Sequence, residues 1–222
     1  MSFKTPKFIT FDCYGTLTNF QIGPTARALF KDRVPADRMD GFIETFRGYR
    51  LDEVLGAWKP YLEVLSNAIE RTCKVWKIKY EPSDGQALYD AVPTWGPHAD
   101  VPAGLAKVAQ HIPLVALSNA ANEQIQRNVD LLGAPFHKVL TAEMAGAYKP
   151  RQQAFEFMFE ELGCGPEDVL HCSSSFRYDL MTAYDMGIRN KAWVNRGHEP
   201  ANPFYEYREI KDIGGLAGLV GL

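Results

Sequence analysis

The stretch Lys7-Phe8-Ile9-Thr10-Phe11-Asp12-Cys13-Tyr14-Gly15-Thr16-Leu17 decides how the rest of the chain is read. Residues 7–11 form a short, mostly apolar run. This suits a strand buried on both faces, because a strand covered by helices on each side keeps no solvent face. Gly15, just beyond, marks a turn or a close backbone approach. Taken alone, Asp12 reads as a turn residue or a helix N-cap. The segments that follow change that reading.

Residues 24–92 differ in character from the opening strand. Thr25 to Lys31, Asp37 to Tyr49 and Tyr61 to Trp76 carry apolar residues at helical spacing, and Val64, Leu65, Ala68, Ile69 and Cys73 lie along one stripe. Pro93-Thr94-Trp95-Gly96-Pro97 then reads as a return linker. Alternation begins after it, with a helix over 101–110 that has Pro102 near its start, and a continuous apolar strand over 112–117. A helix over 122–132 stops at Gly133, a strand follows over 138–141, and a helix over 152–162 stops at Gly163. The series closes with a strand over 169–172, a helix over 178–185 ending at Gly187, and a strand over 191–194. Strands alternating with helices imply right-handed crossovers and a parallel sheet. The expected fold is therefore α/β: a Rossmann-like parallel sheet core, residues 1–20 plus 95–222, with a helical cap, residues 21–94, inserted after the first strand.

Bulk properties narrow the partners. The chain has 222 residues, 46% of them hydrophobic and 23% charged, which suits a globular domain rather than a disordered one. A formal net charge of -3 with no basic run gives no field for nucleic acid or an anionic membrane, so neither is expected as a partner. No apolar stretch approaches the roughly 20 residues of a spanning helix. The segment before Phe8 is short and polar for a secretory signal. Four cysteines without a CxxC pair give zinc no support and suit reduced thiols in a cytoplasmic protein.

In an open parallel sheet, ligands bind beyond the carboxyl ends of the strands. Asp12, Tyr14 and Thr16 follow the first strand, and Ser118 and Asn119 follow the second. Lys149 stands before Pro150, and Ser173, Ser174, Ser175 and Asp179 follow the fourth strand. Each alone has an ordinary structural explanation as a cap, a loop residue or a surface charge. Their convergence on one sheet edge, in strand order, is the functional signal.

These segments resemble the haloacid dehalogenase superfamily. Its four motifs match Phe11 to Leu17, Leu117-Ser118-Asn119, Tyr148-Lys149-Pro150 and Ser174 to Asp179, and the helical block sits where the family carries a cap. Phosphatases of the superfamily have a second aspartate two residues after the nucleophile. Here that position is Tyr14, as in the 2-haloacid dehalogenase branch, which uses no metal or other cofactor. The resemblance implies that Asp12 displaces halide from a short (S)-2-haloacid or haloacetate and that water then hydrolyses the aspartyl ester. Lys149 would orient Asp12, Thr16 and Ser174 would donate hydrogen bonds, and Asp179 would position or activate the water. Tyr14, Ser118 and Asn119 would bind substrate. Arg47 of the cap, with Arg50 as its rival, would receive the halide, lined by Tyr61 or Trp58. The implied partners are the haloacid and the released halide, and homodimerisation is allowed but demanded by no motif. Two departures stand out: Phe176 and Phe155 occupy positions where that branch has an asparagine and a tyrosine, so that either Ser173 or Ser175 replaces them, or the substrate range differs, or activity is modest. The rival readings are a metal-dependent phosphatase of the same fold and a decayed member that only binds.

Overall fold

The computed structural model describes residues 5–222. They form two compact units: the described residues up to Asn19 together with Gly96–Leu222, and Phe20–Trp95. The chain opens with β1 (Phe8–Phe11) of the first unit and then builds the whole of the second before returning.

That second unit is helical: α1 (Ile22–Phe30), α2 (Met39–Leu55), α3 (Tyr61–Trp76) and α4 (Pro82–Ala91). Helix α3 has the bounds its periodicity predicts, and the stripe from Val64 to Cys73 is buried. Helix α2 begins after a 3-10 turn at Ala36–Arg38 and runs to Leu55, well beyond Tyr49. Its sequence hides this extension because Arg47, Arg50 and Asp52 interrupt the apolar pattern while Glu53 is buried. Helix α4 has a weak apolar signature and a strong start signal. Pro82 stands in its first turn, and Glu81 with Asp84 forms a capping box that satisfies backbone N–H groups at the start of the helix. At Gly85 a Cβ would fall 2.9 Å from Ser66 Cα, so α3 and α4 meet at backbone distance only because a glycine is there. Phe30, Phe42, Leu65, Ile69 and Leu88 are fully buried in this unit. Each such side chain contributes about 1.5–3 kcal/mol through apolar burial.

The first unit continues with α5 (Val101–Ala109), β2 (Leu114–Ser118), α6 (Asn122–Asp130), β3 (Lys138–Thr141) and α7 (Ala142–Ala145). It is completed by α8 (Gln152–Leu162), β4 (Val169–Ser173), α9 (Met181–Asp185), β5 (Asn190–Val194), β6 (Arg208–Ile210) and α10 (Leu216–Leu219). The six strands lie in the order β3-β2-β1-β4-β5-β6, and every pairing is parallel. Strand β6 has no sequence signal because it is three residues long and only Ile210 in it is buried. The helix expected over 178–185 is confined to Met181–Asp185, because residues 176–180 form a wider π-type turn before α9.

Two apolar layers cover the sheet. Ile9, Phe11, Leu170, Cys172, Ala192 and Val194 face one layer with Leu105 and Ile125. Val115, Leu117, Leu140 and Val169 face the other, with Phe155 and Met158 of α8. Alternation along β1 and β4 therefore leaves Thr10 and His171 on the α8 side, both with no exposed surface. The chain crosses from β1 towards β2 and β3 and then returns to build β4, β5 and β6 on the other side. That reversal between β1 and β4 is a topological switch point, where the carboxyl ends of two neighbouring strands open a crevice.

Candidate active site

Asp12 lies at that crevice. Its backbone N–H donates to Cys172 O at 3.0 Å, so the pairing of β1 with β4 extends to the carboxylate-bearing residue and fixes its direction. The chain then turns tightly: Leu17 and Thr18 N–H both donate to Cys13 O, and Gly15, at φ +96°, donates to Thr18 O. This left-handed position suits glycine. The turn brings Thr16 back over Asp12, where its hydroxyl donates to Oδ2 at 2.6 Å. Thr16 Oγ1 also accepts from Ser174 N–H at 2.8 Å and lies 3.1 Å from Ser174 Oγ.

Lys149 occupies the space between two carboxylates. Its Nζ donates to Asp12 Oδ1 at 2.9 Å and to Asp179 Oδ1 at 2.7 Å, and its side chain is 1% exposed. Asn119, after β2, clamps the lysine backbone. Its Nδ2 donates to Lys149 O and its Oδ1 accepts from Lys149 N–H, both at 2.8 Å. This residue, expected to bind substrate, thus has a positioning task, with one Nδ2 hydrogen remaining. Ser118, at the last position of β2, is buried, and its Oγ has no hydrogen-bond partner. A buried hydroxyl without a partner is costly unless a ligand group engages it. Tyr14 turns aside, its hydroxyl donating to Asn128 Oδ1 of α6 at 3.1 Å.

The charges are unbalanced: two buried carboxylates share one ammonium. Burial raises the Asp12 carboxyl above its ordinary value and the neighbouring Asp179 adds to this, against the pull of Lys149 and Thr16. Burial also opposes ionisation of Asp179, but Lys149 and His171 outweigh it and hold that carboxyl below the ordinary value. Lys149 is held above its ordinary value: burial disfavours its charge, and the two carboxylates overcome that. Cys13 is adjacent in sequence, yet burial pushes its thiol up to about 12, so it is no thiolate nucleophile at neutral pH. Among the described residues, no group of three or more His, Cys, Asp or Glu side chains is arranged to hold a metal ion.

Five of the residues singled out from sequence therefore gather in one cluster: Asp12, Thr16, Lys149, Ser174 and Asp179. Of the two serines considered as replacements, Ser173 meets Asp179 Oδ2 at 3.0 Å, whereas Ser175 donates to Glu199 Oε1 at 2.8 Å. Phe176 packs away from the cluster against Trp193 and Tyr207, and Phe155 packs edge-on against His171. Arg47 and Tyr61 belong to the helical unit. Arg47 lies 3.8 Å from Glu44 on the side of α2, and Tyr61 is buried near Tyr89. Arg50 sits over the rings of Phe20 and Phe46, and its buried Nε has no hydrogen-bond partner.

Sequence reading missed the supports behind the cluster. Arg196 donates to Thr16 O at 2.9 and 3.2 Å while its other edge pairs with Asp100 at 2.7 and 2.9 Å. His98 Nε2 lies 3.2 Å from Gly15 O. His171 Nε2 lies 3.1 Å from Asp179 Oδ1, and its Nδ1 lies 2.8 Å from Thr10 Oγ1. The last pair did leave a signal, since each is a polar residue in the middle of a strand buried on both faces.

Comparison with known proteins agrees with this geometry. Residues 6–187 match the family model of haloacid dehalogenase-like hydrolases. The chain is 27% identical over 201 residues to haloacetate dehalogenase H-2 of Moraxella sp. (strain B), covering 87% of each chain. Among solved structures it resembles L-2-haloacid dehalogenase from Xanthobacter autotrophicus with chloropropionic acid covalently bound, at TM-score 0.78 and 22% identity, over 97% of this chain and 98% of that one. It also resembles a Bacillus subtilis HAD-hydrolase bound to magnesium, at TM-score 0.83 and 18% identity, over 99% of this chain and 100% of that one. Two neighbours with different ligands share one fold, so the fold alone does not select the chemistry. A family model covering most of the chain, with Asp12, Lys149 and Asp179 gathered at the switch point, places this protein in the haloacid dehalogenase-like hydrolase family.

Proposed function

We propose that the protein is a hydrolytic dehalogenase of short 2-haloacids, haloacetates among them, acting through an ester on Asp12. The observation that carries the reading is the position of Lys149 Nζ, within hydrogen-bond distance of both Asp12 and Asp179. The cation between these carboxylates is an ammonium supplied by the chain, and the residue two positions after Asp12 is Tyr14, whose hydroxyl is engaged by Asn128. Phosphoryl transfer needs cations for three charged oxygens and an acid for the leaving group. Displacement at a carbon bearing halogen needs a held carboxylate and little else on the attacking side.

Both oxygens of Asp12 are held, one by Lys149 and one by Thr16, which aims the carboxylate and limits its motion. Attack on the halogen-bearing carbon forms the C–O bond as the C–halogen bond breaks, and halide leaves with its electron pair. The charge on Asp12 is consumed in this step, which relieves the excess of carboxylates over ammonium in the cluster. Water then attacks the ester carbonyl, with Lys149 Nζ placed to donate to the oxygen on which charge develops. Asp179 positions or activates that water. The unpartnered hydroxyl of Ser118 is the donor for the substrate carboxylate. For the halide, the family resemblance designates Arg47, with Arg50 as its rival.

The test is halide release from chloroacetate and 2-chloropropionate, with and without chelator, together with the mass of the Asp12 peptide after rapid quenching. Metal-independent release with a covalent adduct at Asp12 is the expected result. Chelator-sensitive hydrolysis of phosphate esters without halide release would replace this reading with the phosphatase one. Comparing Arg47→Ala with Arg50→Ala identifies the arginine that speeds halide departure.

A further inference from the structure

Behind Asp179 the cluster continues inward, on residues with no place in the reaction just described. Thr10 of β1 and His171 of β4 are register partners on neighbouring strands, so their side chains point to the same face of the sheet. Both are fully buried, and the ring of Phe155 from α8 covers His171 with centroids 5.3 Å apart at 68°. His171 Nε2 lies 3.1 Å from Asp179 Oδ1, the oxygen that also receives Lys149 Nζ. Its Nδ1 lies 2.8 Å from the Thr10 hydroxyl. The groups facing this imidazole and its carboxylate are thus Asp12 and Thr10 from β1 and its following loop, Lys149 ahead of α8, and Ser173 from β4. A line of hydrogen bonds runs Thr10, His171, Asp179, Lys149, Asp12.

An ionised carboxylate can only accept, so the hydrogen between His171 and Asp179 sits on Nε2. Three donors then converge on Asp179: Lys149 and His171 on Oδ1, and Ser173 on Oδ2. Such a buried carboxylate has one orientation. We propose that His171, braced by Thr10, is a positioning residue for the ester-hydrolysis step, fixing the carboxylate of Asp179 that holds Lys149 against Asp12. This rests on the dehalogenase reading.

The step assigned to Asp179 fixes where the effect falls. Water adds to the ester carbonyl and its proton passes to the Asp179 carboxylate. The C–O bond to the 2-hydroxy acid breaks, that proton goes to the departing alkoxide, and Asp12 returns to a carboxylate by releasing one proton to solvent. Halide departure precedes all of this and involves no proton transfer to Asp179. Loss of the imidazole donor therefore slows the second half of the reaction and leaves the first nearly intact. It also makes ionisation of Asp179 harder, so the acid limb of ester hydrolysis moves to higher pH.

The experiment compares His171→Leu, His171→Gln and the wild-type enzyme by rapid-quench kinetics with chloroacetate, and reads the imidazole by 15N resonance in the resting enzyme. In His171→Leu the halide burst should stay within about twofold of wild type while steady-state turnover falls about tenfold and the Asp12 adduct accumulates. His171→Gln, which keeps an N–H donor, should recover part of the loss. The resonances should show a hydrogen on Nε2 that responds to Asp179→Asn. A burst and a steady state that fall together, no recovery by Gln, or imidazole signals indifferent to Asp179→Asn would each overturn the proposal. Absence of halide from the wild-type enzyme would overturn the dehalogenase reading instead, and the resonances would still decide whether His171 and Asp179 are coupled.

Discussion

Each unit of the molecule buries charge, and the two do so in opposite ratios. In the helical unit, Glu53 is met by Lys59 at 2.5 Å and Arg71 at 2.6 Å, and buried Asp84 takes both arms of Arg33 at 2.7 and 2.9 Å. Cations match or outnumber the buried carboxylates there. Burial opposes their ionisation, but the partners win and hold both carboxyls below their ordinary values. At the switch point of the sheet the ratio reverses, with one ammonium serving two carboxylates, and Asp12 is raised instead. The first arrangement stabilises a fold. On the proposed reading, the second holds the attacking carboxylate in an unfavourable state that forming an ester would relieve, in keeping with perturbed groups gathering at functional sites.

Removing Asp12 is the strongest way to challenge that contrast. If Asp12 is the nucleophile as proposed, Asp12→Asn should lower turnover by at least about a thousandfold. It should leave the urea midpoint at or above the wild-type value, because one of two competing carboxylates has been neutralised. A large loss of stability would mean that Asp12 is a structural partner like Glu53. Lys149→Met comes next: it strands two buried carboxylates and should cost about 3–5 kcal/mol in urea unfolding, with activity lost as well.

The sequence carried most of the candidate site because its geometry follows strand order. Asp12, Ser118 and Ser174 sit at strand ends that three short apolar runs mark, and Lys149 stands ahead of a helix whose end Gly163 marks. What it did not carry depends on packing across the chain. Arg196 reaches Thr16 over 180 positions of sequence, and no local pattern announces such a pair. Helix α4 is set by a cap rather than an apolar stripe, and α2 runs on through charges because Glu53 is neutralised by residues that only the fold brings near. His171 was legible in principle, as a polar residue inside a buried strand.

Smaller effects sharpen the comparison. Asp84→Asn removes a half-buried bidentate pair with partial access to solvent, and should cost about 1–2 kcal/mol in urea unfolding with turnover unchanged. The dependence of stability on pH should then separate the units. Asp84 and Glu53 have lowered values in the folded state. Their contribution is therefore complete above the unfolded values of 3.8 and 4.5 and is lost as pH falls through the lower, folded values. Asp12 is raised and runs the other way, binding its proton in the folded state at a pH above 3.8, where the unfolded chain does not. Unfolding free energies between pH 7 and pH 3 should show a flatter acid loss in Asp84→Asn than in wild type, and a steeper one in Asp12→Asn. Equal slopes in the two variants would erase the distinction between the clusters.

The claim that Asp12 attacks carbon is tested most directly by a single turnover with enzyme in excess over 2-chloropropionate in heavy-oxygen water. The account predicts an unlabelled 2-hydroxy acid and one heavy oxygen in the peptide containing Asp12, because the product takes its oxygen from the carboxylate and water then restores it. Label in the product with none in Asp12 would contradict it, showing that water itself displaces the halide.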